Sequence, residues 1–312
     1  MHHRRQLMPR GFRLRLVTGA VSAVTVALVA MLAISLGTTD TTAATGRRDG
    51  NMLTPEQANA LELTFRKDAL GAGLAYLDGN GAMQFYYATP GGVIRVYFHI
   101  ITDGISSPLP TTVIDSQLKV LNKAFAPTQW SFTLANFDVT VMPQWMQMSQ
   151  GSSAEHQMKN LLRQGTADDL NIYITQLSGG MVGWSSMPSS YAGQPKDDGV
   201  VLDADTLPGG SWAPYNLGDT AVHEVGHWMG LYHTFQGGCA MGPTAGDFAT
   251  DTAAEQSAAF GCPVTRDSCP FHPGLDPVTN YMDFTDDSCM NTFSADQDKR
   301  MDQQFWLYRF GK

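Results

Sequence analysis

No cysteine occurs before Cys239, and basic side chains are scarce beyond residue 48, where 13 Lys and Arg face 28 Asp and Glu, a formal charge of −15. Nucleic-acid binding needs clustered Lys and Arg, so a body of this sign is excluded from it. No repeat period appears in the sequence, which excludes solenoid architectures. The four cysteines, Cys239, Cys262, Cys269 and Cys289, contain no C-x-x-C spacing. That argues against a structural zinc built from them and for two disulfides, with three pairings open on sequence alone. The chain has only eight histidines among its 312 residues.

What is present begins with a leader. Five arginines precede Val17, an uncharged apolar run follows to Leu36, and small residues surround Ala43 and Ala44. This is the layout of a secretory signal over residues 1–44, followed by export to the extracellular space and only transient membrane contact. An uncleaved anchor is the competing reading, since twenty helical residues at ~1.5 Å each match a ~30 Å hydrocarbon core. Residues 45–90 read as a removable pro-segment or a structural N-terminal extension, with Thr54, Pro55 and Gln57 forming a helix start.

From residue 91 the pattern alternates strand and helix: a strand over Val93 to Ile101, a helix capped by Thr112, the strands "QWSFTLANFDVTVM", "DLNIYITQL" and "DGVVLDAD", and a helix in "SSAEHQMKNLLRQG". Such alternation predicts a mostly parallel twisted sheet. Beyond Gly238 the periodicity fades into Gly, Pro, Asp and Thr, and order returns with a helix opened by the Ser294/Gln297 capping box.

Three of the eight histidines and one glutamate lie in "HEVGHWMGLYH", residues 223–233. On a helix His223 and His227 share one face, and Glu224, rotated by about 100°, leans toward a water between them without being a ligand. Catalytic zinc takes three protein ligands and keeps a fourth position open. Were the helix to continue, His233 would be rotated by ~280° from His223 and point away. Gly230 resolves this, because glycine adopts the left-handed conformation that ends a helix and turns the chain back toward the metal.

Together with "NYMDFTDD", which places Met282 downstream, this stretch matches H-E-x-x-H-x-x-G-x-x-H plus Met-turn, the metzincin pattern. "HEVGHWMGLYHTFQGGC" followed by "NYMDFTDDSCMNTF" resembles the pappalysin family of secreted metalloendopeptidases, including its ulilysin-like members. The resemblance implies an α+β metzincin-type zincin: a twisted, mostly parallel five-stranded sheet with an active-site helix, and an irregular, disulfide-stapled C-terminal subdomain ending in a helix, all within residues 91–312. It implies zinc on His223, His227 and His233, peptide-bond hydrolysis by a zinc-bound water with Glu224 as general base, and Met282 as the floor of the site. It pairs Cys239 with Cys269 and Cys262 with Cys289. It suggests calcium at Asp247 and Thr252, with the Ala245 and Thr250 carbonyls. It also assigns "GWSSMP" as the antiparallel edge strand that pairs with protein or peptide substrates.

Two departures stand out. Phe284 occupies the position where several relatives carry an oxyanion-stabilising tyrosine, leaving Tyr281 or Tyr215 as substitutes. No cysteine precedes Cys239, so any latency uses something other than a pro-segment thiolate. The acidic pair Asp286 and Asp287 suggests a preference for a basic side chain after the scissile bond. A secreted zinc-binding adhesion module with vestigial catalysis is the alternative from another functional class.

Overall fold

The computed structural model describes residues 47–86, 91–105, 109–242 and 245–312, so the leader over residues 1–44 lies outside the described residues. In chain order the main elements are β1 (Arg48–Asp49), α1 (Pro55–Gly71), β2 (Ala75–Leu77), β3 (Met83–Phe85), β4 (Gly92–Thr102), α2 (Thr111–Phe125) and β5 (Trp130–Val141). They continue with α3 (Ser153–Leu162), β6 (Leu170–Thr175), β7 (Met181–Ser185), β8 (Val200–Asp203), α4 (Asp219–Trp228) and α5 (Ala295–Tyr308).

The central sheet has the order β1-β7-β8-β6-β4-β5. Its pairs are parallel except β7 with β8. The five strands expected from sequence are all there. The sixth, β1, is a two-residue strand that adds to the outer edge of β7. Both faces of β4 are covered, which is why it reads as a continuous apolar run. Ile94, Val96, Phe98 and Ile100 face the core built with α2, α4 and α5, while Ile101 joins Trp145, Met158, Tyr173, Trp184 and Val201 on the other face.

Three helix starts test the capping arguments. Thr54 with Gln57 and Ser294 with Gln297 form complete capping boxes. The expectation at Thr112 is corrected: α2 begins at Thr111 behind Pro110, with no side-chain cap. Proline's fixed φ, here −61°, sets the entry instead.

Helix α1 is built into the body. Phe65 and Ala69 are buried with Ala75 and Leu307. The buried Arg300 of α5 donates to Glu62 in α1 at 2.8 Å and to the Gly230 carbonyl at 2.8 Å. Beyond Gly238 the chain is irregular and stapled by Cys239–Cys269 and Cys262–Cys289. No helix among the described residues is long and apolar enough to cross a membrane.

Candidate metal centre and substrate cleft

Helix α4 stops at Trp228, and Gly230 takes φ +99°. The Leu231 N–H reaches the Gly226 carbonyl at 2.9 Å and the Gly230 N–H the His227 carbonyl at 2.8 Å, the paired bonds of a Schellman turn. A Cβ at position 230 would lie 2.6 Å from Gln304 Cγ, so space as well as conformation demands glycine.

That turn brings His233 back. His227 Nε2 lies 3.2 Å from His223 Nε2 and 3.0 Å from His233 Nε2. Nitrogens at ~2.0–2.1 Å from one tetrahedral ion stand about 3.4 Å apart, so the three atoms outline a zinc site. The outward nitrogens are anchored: His223 Nδ1–H donates to the Tyr281 carbonyl at 2.6 Å and His227 Nδ1–H to the Leu231 carbonyl at 2.8 Å. This fixes the tautomer that leaves each Nε2 lone pair for a metal. Burial also holds His223 and His233 below the usual histidine range, His233 at about 4, keeping both neutral. The donor set therefore fits zinc. Met282 is fully buried against Gly226 in α4, immediately after the residue that anchors His223.

Glu224 is fully buried, and neither carboxylate oxygen has a hydrogen-bond partner. Burial above all, then the charge of Asp49, raises its pKa well above the ordinary carboxylate range. It packs against the edge strand at Gly183, where a Cβ would come within 3.1 Å of Glu224 Cγ. The general-base candidate thus lies directly under β7.

The fourth member of the cluster is a residue sequence reasoning missed. Asp49 Oδ2 lies 2.8 Å from His223 Nε2, 3.7 Å from His227 Nε2 and 3.4 Å from His233 Nε2. Strand β1 carries it there through bonds from the Arg48 N–H to the Gly180 carbonyl, 2.8 Å, and from the Gly50 N–H to the Gly183 carbonyl, 3.0 Å. Asn51 completes the strap by exchanging hydrogen bonds with Ser185.

Arg47 is buried with its guanidinium 5.1 Å from the Phe284 ring and 5.7 Å from the Tyr215 ring. Phe284 in turn lies 5.7 Å from His223 and 5.0 Å from His233, so Arg47 occupies a slot beside the metal ligands. Asp287 is buried and accepts from the Leu217, Gly218 and Asp219 N–H groups, capping the start of α4. Asp286 is half-buried. Asp219 is raised to about 7, by burial first and then by Asp287. Of the two substitute tyrosines, Tyr281 packs tilted against Phe293 and shares a cavity with Lys123 and Asp219, whereas Tyr215 shares Arg47 with Phe284. Asp247 and Thr252 sit in a separate loop, both buried, where Asp247 Oδ2 and Thr252 Oγ1 lack hydrogen-bond partners.

Known proteins share this arrangement. The chain is 45% identical over 224 residues to an extracellular metalloprotease of Pyricularia oryzae, covering 70% of this chain and 77% of that protein. It is 41% identical over 225 residues to extracellular metalloprotease 1 of Coccidioides posadasii, covering 70% and 79%. The chain belongs to the M43 peptidase, or pappalysin, family. The family description, pregnancy-associated plasma protein-A, matches residues 165–305 of this M43 peptidase, from before β6 into α5. Among solved structures, mirolysin in complex with compound 9 superposes with a TM-score of 0.62 at 26% identity, covering 71% of this chain and 97% of that chain. A promirolysin mutant of Tannerella forsythia superposes with a TM-score of 0.63 at 24% identity, covering 83% and 94%. This pappalysin is accordingly a metalloendopeptidase with the metzincin fold.

Proposed function

We propose that this chain is a secreted zinc-dependent endopeptidase made as a latent precursor, in which Asp49 would join His223, His227 and His233 in holding zinc. The convergence of His223, His227 and His233 beside an unpartnered, buried Glu224 carries the reading of the site. Bound there, zinc supplies Lewis acidity that activates water near neutral pH and polarises the scissile carbonyl. Glu224 accepts the proton of the attacking water and returns it to the leaving amine. Once β1 has left, strand β7 offers its outer edge to an extended peptide backbone, while the carbonyls of Tyr281 and Leu231 hold two of the imidazoles in place.

The precursor segment lies on β7 in the parallel direction, opposite to the antiparallel run expected of a substrate. It therefore presents a carboxylate to the metal rather than a cleavable carbonyl. Helix α1 remains with the mature enzyme, because removing it would leave Arg300 without Glu62, and stripping one partner from a buried ion pair costs about 3–5 kcal/mol. A cut between Asn51 and Pro55, where Met52 is 56% exposed, is enough to liberate the site from within the 45–90 segment.

The slot filled by Arg47 accepts a basic substrate side chain once the segment leaves. Two aromatic faces flank it, and Asp219, Asp283 and Asp287 are close enough to feel the Arg47 charge. Asp247 and Thr252 would hold calcium, since their orphaned buried oxygens are the hard donors that ion takes. Phe284 favours the alternative of a zinc-binding module without turnover. Glu224→Gln in the cleaved protein separates the two. It should retain zinc by elemental analysis and lose at least ~10²-fold in casein hydrolysis; a cleaved wild type with no hydrolysis would leave the binding module.

A further inference from the structure

A second cavity, away from the metal ligands, opens where β4, β5 and α5 meet. It encloses about 290 Å³. Its walls are aromatic: Trp130 lies 4.5 Å from Phe305, and Trp306 stacks on Phe310 at 4.3 Å with an interplanar angle of 15°. Phe310, which lines the cavity, is 53% exposed.

Asp302 lies in this wall. It is 6% exposed, and its Oδ1 accepts from Trp130 Nε1 at 2.9 Å and from the Gly91 N–H at 3.1 Å. Those two bonds fix the carboxylate, yet no ion pair with a cation is found for it among the described residues. Burial raises its pKa, with no cationic side chain acting against that. The cavity's one guanidinium, Arg95, is already engaged, 3.8 Å from Asp169 and donating to Tyr97 at 2.7 Å. Asp168 adds a further charge at the mouth. Aromatic faces and an unbalanced buried carboxylate together select a flat organic cation, which stacks and forms paired hydrogen bonds at once.

We propose that this cavity binds the guanidinium of an arginine side chain from a protein or peptide, with Trp306 and Phe310 stacking on it and Asp302 receiving its N–H groups. This site is independent of the zinc reading and of the Arg47 slot.

Calorimetric titration of the full-length chain carrying Glu224→Gln tests it, using Nα-acetyl-arginine amide, its lysine counterpart and its uncharged citrulline counterpart. Saturable binding of the arginine amide is expected, with the citrulline compound at least ~10-fold weaker and the lysine compound intermediate. Trp306→Leu and Asp302→Asn should each weaken arginine binding by at least ~10-fold, and Asp219→Asn, near the Arg47 slot, should leave it unchanged. Thermal melts accompany Asp302→Asn because Trp130 loses its acceptor; Trp306→Leu, at the rim, keeps the test valid if that variant unfolds. Absence of saturable heat, equal binding of citrulline, or wild-type binding by Trp306→Leu would overturn the proposal. Equal binding of lysine would overturn the guanidinium assignment.

Discussion

Phe284 stands where the family resemblance implies an oxyanion-stabilising tyrosine. Its ring stands 5.0 Å from His233 with no hydroxyl to offer a developing oxyanion. Phe284→Tyr should therefore raise kcat of the cleaved enzyme by ~10-fold or more with little change in KM, since one such donor is typically worth about 10²-fold. An unchanged kcat would place the donor elsewhere, and Tyr215→Phe would then be the slow variant. Asp219 gives a pH signature. Its carboxyl titrates near 7 in the fold against 3.8 as the reference value, so the folded state holds a proton that the unfolded chain has released. Stability then falls as pH rises from about 4 through 7, with a slope of up to ~1.4 kcal/mol per pH unit for this one group. Asp219→Asn should flatten that part of the profile, raising Tm at pH 8 and hardly moving it at pH 4. A wild-type slope in the variant would refute the assignment.

At the scale of elements, the sequence reveals whatever is local. Helix α4, its ending at Gly230 and the return of His233 follow from intervals within eleven residues, and the capping boxes at Thr54 and Ser294 follow from intervals of three. Strand β1 was invisible for the opposite reason. Two residues carry no periodicity, and Asp49 meets His233 across 184 positions with nothing to distinguish it from 28 other acidic residues. The nearest signal was negative: with no cysteine before Cys239, any latency had to use something other than a pro-segment thiolate. The element also makes a prediction. Asp49→Ala leaves β1 paired through its backbone but removes the carboxylate from the metal, so the uncut chain should hydrolyse a short peptide where the wild-type precursor does not. An inert Asp49→Ala precursor, cut to an active enzyme by a second protease, would show that steric cover alone maintains latency.

For the whole molecule, the fold class was legible because alternating strands and helices admit few topologies, and the disulfide pairing only because a family resemblance added what spacing could not. The acidic excess has a kinetic consequence. A body with formal charge −15 draws basic substrates toward the cleft, so kcat/KM for an arginine-containing peptide should fall as NaCl rises from 0.02 to 0.5 M, by about 10-fold or more. A neutral peptide should change little; parallel salt curves for the two would eliminate steering.

Asp49 reaches the three histidines because the backbone of β1 tethers it there. While the chain is intact, that carboxylate is present at the millimolar effective concentration of a short linker. Once the backbone is cut beyond Asn51, the same group becomes one free peptide diluted into the surrounding medium, and nothing drives it back. Commitment to activity is then a ratchet, set by a single scission and insensitive to how much inhibitor peptide has been shed.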